Sequence, residues 1–92
     1  MIDIDLYGQT ALVTGAGRGI GKEIANRFAQ AGADIIAVAR TESEIEATVA
    51  HVEAEHGVGG LAMSTDLANE KEIDALVKES VETFGVPEIL VN

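Results

Sequence analysis

Four short aliphatic runs alternate with three stretches of helical period along this chain, and that alternation narrows the possible folds more than any other feature. Thr10 to Thr14 (TALVT) and Asp34 to Ala39 (DIIAVA) are apolar at consecutive rather than alternate positions, the pattern of strands buried on both faces. Gly59 to Met63 is a third, weaker run, and Glu88 to Val91 (EILV) begins a fourth. From Arg18 the period changes: Ile20, Ile24, Ala25, Phe28 and Ala29 share one helical face, and Gly32 stands where a left-handed C-terminal cap is wanted. Thr41-x-x-Glu44 has the form of a capping box, opening a helix with Ile45, Val49 and Val52 inward that ends at Gly57. Asn69-x-x-Glu72 repeats that form ahead of an apolar stripe of Ile73, Leu76, Val77, Val81 and Phe84, closed by Gly85 and Pro87. Strands linked through helices pair in parallel by right-handed crossovers. The chain therefore predicts an α/β fold in the order β-α-β-α-β-α-β, the N-terminal half of a doubly wound parallel sheet in three layers.

With 92 residues there is room for one domain, and 47% hydrophobic residues with a single proline describe a chain that packs a core. Six Lys and Arg against 16 Asp and Glu leave a formal charge of −10, which repels a phosphate backbone and argues against a nucleic-acid partner. The acid excess suits Glu-rich helix faces at any salt; solubility at high ionic strength is a second reading of it. Cysteine is absent, which excludes disulfides, thiolate zinc sites and cysteine nucleophiles. The longest apolar run, Ala33 to Ala39, contains Asp34 and falls far short of the roughly 20 residues of a membrane span. Met1 to Leu6 alternates apolar and acidic residues without the basic start of a signal peptide. The expectation is a cytoplasmic protein with no membrane partner. His51 and His56 are five apart, not the four that put two imidazoles on one helical face for a metal, so no metal site is expected.

The turn Thr14-Gly15-Ala16-Gly17-Arg18-Gly19-Ile20-Gly21 lies directly between the first strand and the first helix. Glycines there permit a tight turn, a close backbone approach to a pyrophosphate and close helix–strand packing, while the helix start offers free N–H groups to phosphates. A Walker A loop fails on two letters, Ala16 in place of its first glycine and Glu23 in place of its Ser or Thr. The G-x-G-x-x-G pattern begun at Gly15 meets Ile20 where it needs glycine. What stands in the chain is Gly15-x-x-x-Gly19-x-Gly21.

That spacing, preceded by Thr14, resembles the TGxxxGxG signature of the short-chain dehydrogenase/reductase family. Asp66-Leu67 after the third strand resembles the family's adenine-binding Asp and its neighbour, and Ile89-Leu90-Val91-Asn92 resembles the strand entering its Asn-Asn-Ala-Gly motif. The similarity runs from about Leu6 onward and is strongest by character to 3-oxoacyl-acyl-carrier-protein reductases and nearby sugar dehydrogenases. It implies that residues 1–92 are the N-terminal dinucleotide-binding part of a Rossmann-type domain, ending at the first Asn of that motif. The family's catalytic Asn, Ser and Tyr-x-x-x-Lys lie further on, and Tyr7 lacks the lysine, so no catalytic residue is assigned. The implied activity of the complete protein, a homo-oligomer, is hydride exchange between a nicotinamide cofactor and a small carbonyl or secondary alcohol. The chain alone is expected to be inactive. A non-catalytic nucleotide-binding or assembly module is the alternative.

The candidate cofactor residues are Gly15, Gly17, Arg18, Gly19 and Ile20 in the turn, Arg40 and Thr41 after the second strand, Asp66 and Leu67 after the third, and Asn92. Ile20 is expected to be both a core residue and a neighbour of the cofactor, and Asn69 a helix cap. An NAD site places an acid about 20 residues beyond the glycine turn to hold the ribose 2′-hydroxyl. Here that place is Ala39, followed by Arg40, whose guanidinium suits a 2′-phosphate, with Thr41 and Arg18 nearby. The expected cofactor is NADP(H), with NAD(H) the alternative.

Overall fold

Ile35, Ile36, Ala37 and Val38 are all fully buried, as a strand can be only with neighbours on both edges and helices on both faces. The computed structural model describes residues 4–92, so Met1 to Asp3 of the N-terminal reading lie outside the described residues. In it β2 (Asp34–Ala39) is an interior strand of a parallel sheet ordered β3-β2-β1-β4, with β1 at Thr10–Thr14, β3 at Gly60–Ser64 and β4 at Ile89–Val91. The register pairs Thr10 with Asp34, Ile35 with Gly60 and Ala11 with Ile89. The connecting helices are α1 (Gly19–Gln30), α2 (Glu42–His56) and α3 (Glu70–Phe84).

Alternation along β2 divides the core. Ile35 and Ala37 join Ala11, Val13, Ala25, Ala29, Ile45 and Val52 in one cluster, shared with α1 and α2. Ile36 and Val38 join Leu76 of α3, with Leu12, Leu61, Met63 and Phe84 packed against them, in the other. These are the three expected layers. The glycine-rich start of β3 has a packing reason: a Cβ on Gly60 would stand 2.6 Å from Val49 Cγ1, and one on Gly59 would stand 2.9 Å from the Phe84 ring.

The helix ends follow the sequence signals in part. α1 closes with a Schellman arrangement, Ala33 N–H donating to Phe28 C=O (3.1 Å) and Gly32 N–H to Ala29 C=O (2.9 Å), with Gly32 at φ +106°. Gly57 caps α2 in the left-handed conformation. Asn69 caps α3, its side-chain oxygen accepting from the N–H groups of Lys71 (3.0 Å) and Glu72 (3.2 Å). The capping boxes themselves do not close. Thr41 is the N-cap of α2, but its side chain makes no capping hydrogen bond; its hydroxyl is exposed, where water can serve it. Glu72 accepts from Asp66 N–H (3.0 Å), a loop donor nearer the sheet, instead of from Asn69.

Three further expectations need correction. Ile20 is not a core residue but 81% exposed, because a side chain in the first turn leans back past the helix start and off the sheet. In α3 only Leu76 of the stripe is buried; Val77 and Val81 are 55% and 42% exposed, since α3 meets the sheet along a narrower face than its apolar stripe. β3 and β4 each start one residue later than expected, the first extending to Ser64 and the second having three residues. No helix among the described residues is long and apolar enough to cross a membrane.

The Ser80 hydroxyl on α3 is buried with no hydrogen-bond partner among the described residues. An unmade hydrogen bond of this kind costs about 1–3 kcal/mol, so Ser80→Ala is expected to hold or raise the thermal unfolding temperature. A clear fall would mean that the hydroxyl is bonded. Edge strand β4 also leaves Leu90 71% exposed, in addition to the uncovered valines of α3. The 92-residue chain by itself is expected to self-associate; sedimentation equilibrium finding only a cooperatively folded 9.6 kDa monomer at micromolar concentration would count against this.

Candidate functional site

The turn from β1 to α1 is built by what its glycines lack. Gly15 and Gly19 sit at φ +65° and +61°, conformations that strain any L side chain. A Cβ on Gly21 would fall on the carbonyl group of Gly15, so strand end and helix start touch backbone to backbone. A Cβ on Gly17 would stand 2.8 Å from Glu44 Cβ, which seats the turn against the first turn of α2. Ala16, between them, is held twice: its N–H donates to Val38 C=O (3.2 Å), and its C=O accepts from Thr48 Oγ1 (2.9 Å).

The start of α1 is electrostatically open. Its N-cap, Arg18, is extended and makes no side-chain capping bond, and no acid stands in the first turn. In contrast, Glu42 and Glu44 occupy the first turn of α2, and Glu70 and Glu72 that of α3. Unpaired N–H groups and the positive end of the helix dipole therefore face outward with no carboxylate from α1 itself over them, as an anion site requires, while Glu44 Oε1 of α2 borders the turn, 3.1 Å from where a Gly17 Cβ would stand.

Beside this turn a cleft of about 240 Å³ opens across the carboxyl ends of β1, β2 and β3, lined by Gly15, Val38, Ala39, Arg40, Thr65, Asp66, Leu67 and Ala68. Strand order reverses at β1, with β2 on one side and β4 on the other, and ligands of doubly wound sheets bind at such a switch point. Four of the residues singled out by sequence, Gly15, Arg40, Asp66 and Leu67, line this one cleft. Gly17, Arg18, Gly19 and Ile20 continue from it along the turn to α1. Thr41 stands one residue outward as the exposed N-cap of α2. Asn92 lies on the far side of β1, tied to it by Thr14 Oγ1, which is 3.2 Å from Val91 C=O and 3.3 Å from Asn92 Oδ1.

The cleft's polar groups are held from behind. Thr65 N–H donates to Ala39 C=O (2.9 Å) and Ser64 Oγ to Arg40 C=O (2.9 Å), so β3 fixes the backbone that carries Arg40. The Arg40 guanidinium is 82% exposed, and its Nη2 lies 3.8 Å from Asp66 Oδ1. A long, exposed ion pair of this kind stabilises little, which leaves the guanidinium available to an incoming anion. Asp66 has a local task as well, its Oδ1 accepting from Ala68 N–H (3.0 Å) across a short turn. A dinucleotide fits these groups: a glycine-rich turn, an uncapped helix start suited to a pyrophosphate, and an exposed cation and a carboxylate in the adjoining cleft.

Sequence reasoning missed Thr65, buried and lining the cleft, and Thr48, buried behind the turn. The signal for Thr48 was present, since it falls among Ile45, Val49 and Val52 on the inward face of α2, where a hydroxyl needs a partner. A smaller cavity of about 120 Å³ between α1 and α2 is bordered by Asn26, Thr48 and His51. Near it, His56 Nε2 shares a hydrogen bond with Asn26 Oδ1 (2.8 Å), so His56 is engaged, not simply solvated. No group of three or more potential metal ligands occurs among the described residues.

Comparison with known proteins covers the same residues. A family model described as short chain dehydrogenase matches residues 9–92. The 3-oxoacyl-[acyl-carrier-protein] reductase FabG of Vibrio cholerae is 40% identical over 89 residues, 97% of this chain and 35% of that protein. Short chain dehydrogenase/reductase astE of Aspergillus oryzae is 40% identical over 87 residues, 95% of this chain and 33% of that one. The crystal structure of L-sorbose reductase from Gluconobacter frateurii, complexed with NADPH and L-sorbose, matches with a TM-score of 0.92 at 35% identity, over 99% of this chain and 35% of that one. A metagenomic short-chain oxidoreductase in complex with NADP matches with a TM-score of 0.85 at 32% identity, over 92% of this chain and 38% of that one. The chain thus spans about a third of the length of these relatives. Since the family match runs from the residue before β1 through the glycine turn to Asn92, the chain belongs to the short chain dehydrogenase family.

Proposed function

We propose that residues 1–92 form the N-terminal, NADP(H)-binding part of a Rossmann-type oxidoreductase domain. The observation that carries this reading is Arg40: an exposed guanidinium at the lip of the cleft, directly after Ala39, which stands where an NAD site would present an acid. The NADPH and NADP in the sorbose reductase and metagenomic structures support the same choice, with NAD(H) the less favoured cofactor.

In this reading the backbone of Gly15, Gly17, Arg18, Gly19 and Ile20 receives the pyrophosphate. Arg40 and Thr41 take the 2′-phosphate, Asp66 and Leu67 take the adenine, and Asn92 borders the cofactor beyond β1. Ile20, open to solvent, offers an apolar surface for a cofactor or a further segment to cover. Bound, the nicotinamide supplies hydride transfer to or from a carbonyl carbon. The residues of this chain bind and orient it, and none of them is assigned a proton transfer. The substrate class is a 3-oxoacyl thioester or a sugar-type ketone, in keeping with the FabG and L-sorbose reductase relatives. The setting is cytoplasmic and the intact protein a homo-oligomer.

The cofactor assignment is tested by titrating the intact protein and its Arg40→Ala variant with NADPH and NADH. A charge-assisted hydrogen bond contributes about 1.5–3 kcal/mol, so the variant is expected to bind NADPH roughly 10- to 150-fold more weakly with NADH little changed. Equal losses for both cofactors, or a wild-type preference for NADH, would refute the role of Arg40. The 92-residue chain alone is expected to show no carbonyl reduction, since general acid–base help is worth about 10²–10⁴ in rate and this chain brings no donor to it. Ketone turnover with reduced cofactor, proportional to the purified chain, would overturn that.

A further inference from the structure

We infer that Thr48, on α2 and outside the cleft, is a positioning residue that sets the glycine turn in its ligand-receiving shape. The inference rests on the nucleotide-binding reading for its consequence, though its structural basis stands alone. Thr48 is 1% exposed, and its Oγ1 lies 2.9 Å from the carbonyl of Ala16, a residue 32 positions earlier. The same oxygen lies 3.2 Å from Glu44 C=O, its own helix's carbonyl four residues back. One hydroxyl proton serves one strong acceptor. The Glu44 carbonyl already has a place in the helical ladder, whereas no backbone N–H among the described residues reaches the fully buried Ala16 carbonyl. The Ala16 contact is therefore the one the hydroxyl satisfies.

The consequence follows from where Ala16 sits. Its N–H is fixed to Val38 of β2 and its C=O to α2, so the peptide groups on both sides of it are oriented before any ligand arrives. They lead directly into Gly17, Arg18 and Gly19. α2 begins two residues after Arg40, so one rigid helix holds the phosphate-facing turn at Thr48 and follows the 2′-phosphate-facing residue at its N-terminus. Losing the Thr48 bond leaves a buried carbonyl unpaired and the turn free to rotate that group toward water. The pyrophosphate is common to NADPH and NADH, and the two cofactors are affected alike, unlike the selective effect of Arg40→Ala.

The test compares wild type, Thr48→Val and Thr48→Ser in the intact protein by calorimetric titration with NADPH and NADH. Amide hydrogen exchange of the cofactor-free proteins is followed in parallel. Thr48→Val, nearly isosteric but without the hydroxyl, is expected to raise both dissociation constants by the same factor, roughly 5- to 30-fold. It should also speed exchange at Ala16 to Gly19 while the β2 amides stay protected. Thr48→Ser keeps the donor and is expected to restore both properties. Unchanged affinity and loop exchange in Thr48→Val overturn the inference, as does an equal loss in the Ser and Val variants with faster exchange throughout the sheet. A wild type that binds neither dinucleotide instead refutes the nucleotide-binding reading, and loop exchange then still decides whether Thr48 holds the turn.

Discussion

The contact between the Gly21 position and the Gly15 carbonyl governs the rest of the site. With no side chain between them, α1 starts against the end of β1 instead of standing off by a side-chain layer. The turn is thereby short enough to need two positive-φ residues, which Gly15 and Gly19 supply. The same close start places the first free N–H groups of α1 beside the carboxyl ends of the strands. Sheet, turn and helix dipole become one feature, set by the absence of a single methyl group.

Charge is distributed to agree with that geometry. A chain of net charge −10 repels a multiply anionic ligand over most of its surface. Its exceptions are local: the first turn of α1, empty of acids, and the side chains of Arg18 and Arg40 on either side of the turn and cleft. Acids are placed at the starts of α2 and α3, where they complement the helix dipoles, and Glu44 of α2 also borders the glycine turn at Gly17. Asp66 is the carboxylate within the cleft lining, and it is part-committed to the Ala68 amide and to Arg40.

Much of this was legible in the letters, and what was not has a common cause. The run DIIAVA could only be a strand covered on both faces, and Gly32 and Gly57 fell where helices must end, because these signals are local. Periodicity also identified which side chains share a helical face. It does not say how much of that face meets a partner, so it counts Ile20, Val77 and Val81 with the apolar faces although the first turn of α1 runs off the sheet and α3 meets the sheet along a narrower face. The capping boxes show the same limit. Thr41 and Glu72 have the right spacing, but the Asn69 N–H is taken by Asp66 C=O (2.9 Å) and Glu72 accepts from the Asp66 N–H instead. Thr48 was overlooked because its partner, Ala16, is remote in sequence and has no side-chain chemistry of its own.

The pairing of β4 with β1 bears on how the chain assembles. Glu88 Oε1 accepts the Thr10 N–H at 2.7 Å across 78 residues of sequence, and the ladder from Ala11–Ile89 onward closes at the same separation. β1 therefore has one edge served early, by β2, and the other only when nearly the entire described chain exists. At translation rates of about 5–20 residues per second, that edge waits roughly 4–16 s after β1 is made before its partner is synthesised. The partners that tether the carboxyl end of β1 in the complete fold, Val38 for the Ala16 amide and Thr48 for its carbonyl, are both synthesised within that interval. The glycine turn is thus among the first tertiary features that this topology can complete, and the sheet's far edge among the last.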